Sequence, residues 1–430
     1  MRHADTIVAP VTAPGVGAVG IVRISGPAAF EVAAQLFSPW PEAIESHRAY
    51  FGRFAHGDEG LLLVFEEGHG YTGEPAVEAM IHGSPASIAA LVGIAVGVGA
   101  RLAEPGEFTQ RAFLNGRMDL SQAEAVRDTI AAQTDLQLRF ANAQRQGGLR
   151  KMVESLRATL VQALATVEAH VDFSEELGDL DRGRLRSLLE PVRPEIEGLL
   201  ATEHQGRIVR HGLRIAVIGE PNAGKSSLLN TLLGRDRAIV TDIAGTTRDT
   251  IEEPVILGGI PCMLIDTAGL RETSDPIESL GVARSQAAAA HADAVWYVHD
   301  ATRPLPFPLP TADLLVLNKA DLIKADAAVG GYPLVSAATG AGLDQLHAWV
   351  AVQTEVGPDR ACLIDARHAP LLQRALEGLD LVDSTLDHDQ PDDLLSVGIR
   401  EAWSALGEIT GDTTAEDLLT SIFSSFCIGK

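Results

Sequence analysis

The spacing of apolar and polar residues changes along the chain. Up to about residue 120, short apolar runs such as 20–24 and 61–65 alternate with glycine-rich turns, which predicts strands with one or two helices. From 121 to about 205 the glycines thin out, and apolar residues between 160 and 171 follow helical spacing. These segments are therefore predicted to form an α+β domain followed by a helical domain.

A third pattern begins at Leu213. Uninterrupted apolar runs lie at 213–218, 262–265, 294–298 and 314–317. Such runs, with helical stretches between them, are typical of strands that are buried on both faces of a parallel sheet. Long helical patterns return after about residue 359, so we expect an α/β domain inserted into one helical domain.

Composition narrows the classes of function. Lys and Arg total 34 and Asp and Glu total 58, which gives a net charge of −24 and argues against a protein that grips nucleic acid through its overall charge. Cys262, Cys362 and Cys427 are too scattered for a disulfide framework, so a reduced compartment is expected. The uncharged stretch 83–100 reaches membrane-spanning length, but its proline, glycines and serines favour a buried helix of a soluble domain.

Residues 219–226, Gly-Glu-Pro-Asn-Ala-Gly-Lys-Ser, match the phosphate-binding pattern G-x-x-x-x-G-K-[ST] between an apolar strand and a helical segment. The glycines let backbone N–H groups point at phosphate oxygens, and the helix N-terminus adds its positive end. Lys225 can place its charge on the β- and γ-phosphates, and Ser226 can bind Mg²⁺. We expect nucleotide contacts from Asn222, Ala223, Gly224, Lys225, Ser226 and Ser227.

Further nucleotide motifs follow later strands. An Asp-Thr-Ala-Gly motif at 266–269 can hold Mg²⁺ through water and meet the γ-phosphate. An N-K-x-D element at 318–321 ends in a carboxylate that accepts two N–H donors of a guanine edge, which adenine cannot supply, and a Ser-Ala pair at 336–337 can close over the base. The motifs predict GTP binding through Asp266, Thr267, Ala268, Gly269, Asn318, Lys319, Asp321, Ser336 and Ala337.

The water-orienting glutamine of Ras-like enzymes is absent, because Leu270 stands at its position. A polar loop at 241–249 offers substitutes. Thr247 can complete the Mg²⁺ shell, and Asn222 offers a side-chain oxygen where a monovalent cation can bind beside the phosphates.

These motifs together resemble the MnmE (TrmE) family of tRNA-modifying GTPases. The likeness extends to 5–9 (Asp-Thr-Ile-Val-Ala), 17–26 and 104–116 near the N-terminus, and to 406–411 and 426–430 (Phe-Cys-Ile-Gly-Lys) near the C-terminus. The resemblance therefore covers the whole chain.

The resemblance implies a multidomain fold, with an α+β folate-binding N-terminal domain, a discontinuous all-α helical domain and an inserted Ras-like α/β P-loop G domain. The expected bounds are 1–118 for the folate-binding and dimerisation domain, 119–210 and 357–430 for the two parts of the helical domain, and 211–356 for the G domain. The resemblance further implies a cytoplasmic homodimer that forms a heterotetramer with a flavin-containing partner, MnmG.

The implied activity is K⁺-activated GTP hydrolysis coupled to addition of an aminomethyl or carboxymethylaminomethyl group at C5 of the wobble uridine of certain tRNAs. The implied cofactors are Mg²⁺, K⁺ and 5-formyltetrahydrofolate or a related tetrahydrofolate. Because the chain is acidic, we expect the partner to supply most of the grip on tRNA, and no membrane is expected to take part.

The resemblance also assigns roles to residues. Potassium ligands would be Asn222, Thr241, Ile243 and Thr246, and magnesium ligands Ser226 and Thr247. Thr241, Thr246 and Thr247 would also contact nucleotide. The catalytic residues would be Glu278, Arg248, Asp249 and Cys427. The folate contacts would be Arg23, Glu78, Arg117 and Lys430.

The sequence departs from the family pattern at several positions and leaves alternative interpretations open. Arg117 stands where the family usually has lysine, and 81–85 (Ile-His-Gly-Ser-Pro) replaces a His-Gly-Gly run. The stretch 300–313 is short and proline-rich, so we predict that the helix usual there is truncated or missing. Cys427 is interpreted either as a thiol near folate or as a small buried hydrophobic residue. A ribosome-assembly GTPase and a GTP-dependent regulatory switch are the alternative functions.

Overall fold

The computed structural model describes residues 5–236, 252–266, 292–323, 331–354, 362–388, 390–413 and 416–429. Contacts divide the chain into two compact units. The first unit consists of Met1–Arg127, Arg150–Gln162 and Arg400–Lys430, and the second of Asp128–Leu149 and Ala163–Ile399.

The described part of the first unit contains a seven-stranded sheet. Its strands are β1 (Ile7–Pro10), β2 (Gly20–Ser25), β3 (Phe37–Ser38), β4 (Arg48–Phe54), β5 (Glu59–Phe65), β6 (Ala76–Ile81) and β7 (Arg101–Leu102). Their order in space is β3-β4-β5-β6-β2-β1-β7, and each pairing is antiparallel except that of β1 with β7. The strands predicted at 20–24 and 61–65 are confirmed as parts of β2 and β5.

Helices cover this sheet unequally. On one face, apolar residues of α1 (Ala29–Leu36) and α2 (Pro85–Gly97) form a core with the alternate buried residues of the strands. On the other face, α3 (Glu107–Leu114) buries Phe108 against Ile7 and Ala9 of β1. The rest of that face stays partly open, with Phe51 and Leu61 exposed side by side on β4 and β5.

The prediction that 83–100 forms a buried helix is confirmed for the helix and is corrected for the burial, because only one side of α2 is buried. The helix has a strong N-terminus, since Ser84 Oγ accepts a hydrogen bond from Ser87 N at 3.0 Å and proline follows the cap. Leu91 and Ala95 pack inward, whereas the exposed positions are Pro85, Ala86, Ala89, Ala90, Gly93, Val96 and Gly97. Among the described helices, none combines the length and apolar character needed to cross a bilayer.

A five-stranded sheet lies in the described part of the second unit. Its strands are β8 (Leu213–Gly219), β9 (Glu252–Leu257), β10 (Ile260–Asp266), β11 (Ala294–Asp300) and β12 (Leu314–Asn318). The order is β12-β11-β8-β10-β9, parallel except for the β9–β10 hairpin, which turns at two glycines with positive φ, Gly258 and Gly259. The predicted buried strands are therefore confirmed.

The core of this sheet is closed by α11 (Lys225–Asp236) and α12 (Leu343–Val352). Trp296 of β11 is fully buried and meets the ring of Trp349 at 5.9 Å between centroids. Residues 301–313 contain no helix, so the prediction of a missing helix before β12 is confirmed.

The remaining elements are helical, as the periodicity predicts. They are α4 (Leu120–Ala131), α5 (Asp135–Arg145), α6 (Gly148–Asp172), α7 (Ser174–Leu177), α8 (Arg182–Leu189), α9 (Val192–Leu200), α10 (Glu203–His211), α13 (His368–Asp387), α14 (Asp393–Thr410) and α15 (Glu416–Ser424). Within the second unit, Arg193 of α9 pairs with Asp380 and Asp383 of α13. These contacts join segments that lie on either side of the α/β sheet in sequence.

Candidate functional site

The phosphate-binding loop leaves the sheet through a glycine that no other residue could replace without strain. Gly219 ends β8 with φ 146°, and a Cβ there would lie 2.1 Å from the carbonyl oxygen of Val298 on β11. The chain then turns into α11 at Lys225, whose Nζ donates to the carbonyl oxygens of Gly219 and Glu220 at 2.9 Å each. The predicted strand–loop–helix context of the motif is thus present.

Asn318 joins the phosphate-binding loop to the two later motifs. Its Nδ2 donates to the carbonyl oxygen of Ala223 at 2.9 Å, and its Oδ1 accepts from Ala337 N at 3.0 Å. The Asn318 side chain can come this close because residue 224 is a glycine. A Cβ at this position would lie only 2.3 Å from Asn318 Nδ2. Three segments, in which Ala223 and Asn318 are 95 residues apart and Asn318 and Ala337 are 19 residues apart, therefore meet at one buried amide.

The carboxylate of Asp321, the last residue of the N-K-x-D element, is held by the Ser-Ala segment. Ser336, which is fully buried, donates its hydroxyl to Asp321 Oδ1 at 2.5 Å. Asp321 itself is exposed on a short 3₁₀ helix (Ala320–Leu322). A carboxylate with one oxygen fixed and an exposed edge can accept the two N–H groups of a guanine base.

Lys319 pairs with an acid that sequence reasoning missed. Its Nζ lies 2.6 Å from Asp300 Oδ2, and Asp300 Oδ1 accepts from Thr302 N and Oγ1. Burial raises the pKa of this carboxyl, but the hydrogen bonds from Lys319 and Thr302 outweigh that and hold the pKa well below its usual range. The sequence signal was a polar residue at the carboxyl end of a parallel strand, where ligand sites of α/β sheets lie.

The structure also describes part of the proposed cation site. Asn222 is exposed in the left-handed region with φ 63°, a conformation that asparagine tolerates better than most residues, while Ser226 is half-buried and Ser227 is exposed on α11. Asp266 ends β10, and its side chain lies outside the described residues, as do Thr241, Ile243, Thr246, Thr247, Arg248, Asp249, Thr267, Ala268, Gly269, Leu270, Glu278 and Lys430.

In the first unit, the structure brings two of the predicted folate residues together. Arg23 on β2 and Glu78 on β6 are cross-strand partners, and both Nε and Nη2 of Arg23 lie 2.8 Å from Glu78 Oε1. The guanidinium lies 5.0 Å from the Tyr71 ring centroid and 5.4 Å from that of Phe108. Within the described residues, Arg23 Nη1 is buried without a hydrogen-bond partner.

Two further candidates of the first unit, Arg117 and Cys427, are exposed. Arg117 is exposed and donates to the carbonyl oxygen of Gly68, which lies in the same loop as Tyr71. Cys427 is exposed, so its interpretation as a buried hydrophobic residue is wrong, and its carbonyl accepts from Gly106 N at the start of α3. Tyr71 and Phe108 were missed by sequence reasoning, since nothing in their spacing marks them.

Comparisons with known proteins give the family. The model for the TrmE N-terminus matches residues 6–117, and the model for the MnmE helical domain matches residues 120–427. The tRNA modification GTPase MnmE of Symbiobacterium thermophilum is 44% identical over 99% of both chains. The Chloroflexus aurantiacus protein of the same name is 42% identical over 99% of this chain and 100% of its own.

The chain belongs to the MnmE family. As a family member it is a multidomain GTPase that acts in tRNA modification, with a TrmE-type N-terminal domain, a helical domain and a GTP-binding α/β domain. Among solved structures, the G domain of the FeoB iron transporter of T. maritima is 24% identical over 33% of this chain and 99% of its own, but its TM-score of 0.23 supports no structural argument. Membership in the MnmE family rests on the sequence relatives and the two domain models.

Proposed function

We propose that this chain is a K⁺-activated GTPase that works with a flavin-containing MnmG partner to install an aminomethyl or carboxymethylaminomethyl group at C5 of the wobble uridine of certain tRNAs. The observation that carries the GTPase part is the junction at Asn318, which links the phosphate-binding loop to the N-K-x-D and Ser-Ala segments. This arrangement supports a pocket with a phosphate end at Lys225 and a base end at Asp321.

The residue roles follow from this pocket. Asp321 accepts the N–H donors of guanine, Lys225 neutralises phosphate charge, and Ser226 holds Mg²⁺ with Thr247. Asp266 at the end of β10, with Thr267, Ala268 and Gly269, which lie outside the described residues, would face the γ-phosphate and its metal. Glu278, Arg248 and Asp249 would orient the attacking water and the loop that carries it.

For potassium, the chemistry of the donor set fits at the residue that the structure describes. Asn222 offers a hard amide oxygen at the exposed rim of the phosphate-binding loop. Thr241, Ile243 and Thr246 would supply further oxygens. When bound, K⁺ would neutralise charge that develops between the phosphates, which is the role of an arginine finger in other GTPases.

The first unit supports a site for 5-formyltetrahydrofolate or a related tetrahydrofolate. Among the residues that the structure describes, none accepts from the buried Nη1 of Arg23, so this group can bind an anionic or carbonyl oxygen, and Glu78 can accept N–H donors of a pterin ring. Arg117 and Lys430 would bind the anionic tail, and the thiol of Cys427 would take part in tRNA modification beside this site. The buried Arg23 Nη1 is the feature that supports the assignment.

The assembly is proposed on similar grounds. The exposed small apolar residues of α2 support a homodimer made through residues 1–118, because an uncharged helix face of this kind favours burial against another protein surface. The helical parts would be 119–210 and 357–430, and the G domain 211–356. We infer that the protein acts in the cytoplasm, as a heterotetramer with MnmG, and that the partner binds most of the tRNA because this chain carries a charge of −24.

The decisive experiment measures GTP turnover in K⁺ and in Na⁺ for wild type, Asn222→Ala and Asn230→Ala. Asn230 is a second exposed asparagine, on α11, and serves as the matched control. We expect at least a roughly tenfold K⁺ stimulation in wild type and in the control, and none in Asn222→Ala. Equal slow rates in both salts for wild type would instead favour a regulatory switch.

The tRNA and folate parts need separate measurements. Nucleoside analysis of tRNA from cells with and without the gene should show loss of the C5 group when the chain is missing. Calorimetry with 5-formyltetrahydrofolate should show binding to wild type and weak or no binding to Arg23→Met, which keeps the stem but removes the guanidinium. Binding unchanged in Arg23→Met would contradict the proposed folate site.

A further inference from the structure

The acid at the end of β11 has no role in the motifs described so far. Asp300 is buried, with 7% of its side chain exposed, and it uses both oxygens. One oxygen lies 2.6 Å from Lys319 Nζ, and the other accepts from the backbone N–H and the hydroxyl of Thr302. A charge-assisted contact this short, with a carboxylate fixed by two other donors, restrains the ammonium strongly.

The backbone of Lys319 is restrained as well. The residue adopts the left-handed conformation with φ 66° and ψ 37° at the start of the 3₁₀ helix. Its neighbour Asn318 forms hydrogen bonds with the phosphate-binding loop and with Ala337, and Asp321 forms one with Ser336. The methylene stem of Lys319 is therefore held at both ends, and it lies two residues before Asp321, which would accept the N–H donors of guanine.

We propose that Asp300 is a positioning residue of the guanine-nucleotide pocket, which holds the ammonium of Lys319 so that the lysine stem forms a preset wall of the base site. The inference rests on the proposed pocket of Asn318, Lys319 and Asp321. A free lysine loses rotamer entropy when its side chain is ordered, and a stem that is ordered before the nucleotide arrives spares the binding step part of that loss.

Other charges near Asp300 contribute less. Arg303 Nε lies 3.9 Å from Asp300 Oδ2, and Arg303 Nη1 lies 3.7 Å from Glu220 Oε2. Arg303 is more than half exposed, so solvent screens both contacts. Lys319 is thus the main charged partner of Asp300 in the part of the chain that the structure describes.

The test compares Asp300→Asn with Thr302→Ala. The first variant keeps the shape of the side chain and an acceptor for Thr302 but removes the charge that binds Lys319, whereas the second removes only the Thr302 hydroxyl. We expect Asp300→Asn to raise the dissociation constant of GDP about tenfold, mainly through faster release, and Thr302→Ala to stay within about twofold of wild type. IDP should weaken by the same factor as GDP, because the lysine stem does not read the exocyclic amino group.

A double-mutant cycle separates positioning from a merely structural role. Lys319→Met keeps an apolar stem without the ammonium, so adding Asp300→Asn to it should not weaken GDP binding further. The proposal is overturned if Asp300→Asn binds GDP within about twofold of wild type, if Thr302→Ala weakens binding as much as Asp300→Asn, or if Asp300→Asn keeps its full effect in the Lys319→Met background.

A further variant tests the pocket itself. Asp321→Asn should lose GDP affinity and gain affinity for XDP, since an amide can donate to the additional carbonyl of xanthine. If that preference does not change, the pocket assignment is wrong and the role of Asp300 falls with it. If it changes while Asp300→Asn has no effect, only the inference about Asp300 is wrong.

Discussion

The proposed GTP pocket of the second unit and the arginine site of the first unit differ in how their polar groups are satisfied. In the GTP pocket, Lys225, Asn318 and Lys319 each bind protein oxygens, so their donors are satisfied by the fold. In the other site, Arg23 binds Glu78 but keeps a buried N–H group without a partner among the described residues. The proposed GTP pocket is thus ordered by its own contacts, whereas the arginine site leaves a donor that a ligand can satisfy.

This difference has a structural cause. The groups of the proposed GTP pocket lie at or shortly after the carboxyl ends of β8 and β12, where short motifs can fold back on one another. Arg23 and Glu78 face each other across the middle of two antiparallel strands, and the rings of Tyr71 and Phe108 lie beside the Arg23 guanidinium. A loop can adjust to satisfy its donors, whereas a strand residue takes the neighbours that register gives it.

Removal of Lys225, the lysine of the phosphate-binding loop, should have the largest effect on GTP hydrolysis. We expect Lys225→Ala to lower GTP hydrolysis by about 10²–10³-fold, because the phosphate charge then lacks its main counter-charge. Steady-state phosphate release at saturating GTP measures this. Lys151→Ala, at an exposed lysine of α6, is the control and should keep the wild-type rate. Hydrolysis that survives in Lys225→Ala would mean that the loop is not the phosphate site.

The shape of the same loop should tolerate change almost as poorly. Gly219→Ala puts a methyl group where the Val298 carbonyl oxygen lies 2.1 Å away and demands a φ of 146°. We expect a loss of about 2–4 kcal/mol in stability of the second sheet. Gly234→Ala, at an open position of α11, should instead stabilise by about 1 kcal/mol.

Native-state hydrogen exchange of the β8 amides is the suitable measurement, since it reports on one sheet of a multidomain chain. Faster exchange in Gly219→Ala and slower or equal exchange in Gly234→Ala are the expected results. Equal exchange in both variants would show that the loop relaxes around the added methyl group.

The two sites were also unequally predictable from sequence. The strand, the phosphate-binding loop and α11 follow from a contiguous motif, because its glycine and lysine spacing specifies a local backbone path. The contact of Asn318 with Ala223 depends on two parallel strands, β8 and β12, that lie on either side of β11. Strand order in an α/β sheet is constrained enough to expect it. The missing helix before β12 was predictable because four prolines between 304 and 310 exclude one.

The sequence could not show which residues contact each other across strands or between loops. The pairing of Arg23 with Glu78, 55 residues apart, depends on the register of β2 and β6, and the approach of Tyr71 depends on a loop path that no pattern records. The orientation of α2 was missed because a helix made of small apolar residues shows no polar face. Asp300 was missed because a single acid after a strand has no motif around it.

The buried ion pair of the first sheet offers a matched comparison with a surface pair. Arg23–Glu78 and Arg53–Glu59 both have N···O distances of 2.8 Å, but the side chains of the first pair are 9% and 18% exposed and those of the second 69% and 52%. We expect Glu78→Gln to destabilise the first unit by about 2 kcal/mol, because it leaves a buried charge without its counter-charge. Glu59→Gln should cost less than about 0.5 kcal/mol.

Urea unfolding followed by hydrogen exchange in β2 and β6 would measure both variants. Added 5-formyltetrahydrofolate should protect wild type more than Glu78→Gln if the site binds folate. If the two glutamine variants lose equal stability, burial does not set the strength of these pairs, and the contrast between the two sites loses its physical basis.

The smallest effect concerns Asp58, an acid in the turn between β4 and β5 whose charge is stabilised by neighbouring hydrogen-bond donors. A hydrogen bond from His82 Nδ1 at 2.6 Å is the main cause that lowers the pKa of Asp58 to about 2, with smaller help from Ser87 and two backbone N–H groups. Because the folded pKa is lowered, this contribution to stability is present above the ordinary pKa of about 3.9 and is lost as the pH falls through about 2. His82→Ala should therefore raise the pKa of Asp58 towards its ordinary value and start acid unfolding of the first unit at a higher pH, with little change at pH 7.

His82→Asn keeps an amide donor, so the pKa of Asp58 in this variant should lie between those in wild type and His82→Ala. NMR titration of the Asp58 carboxyl measures all three proteins, and a pKa unchanged in His82→Ala would show that the Ser87 and backbone donors alone hold the charge.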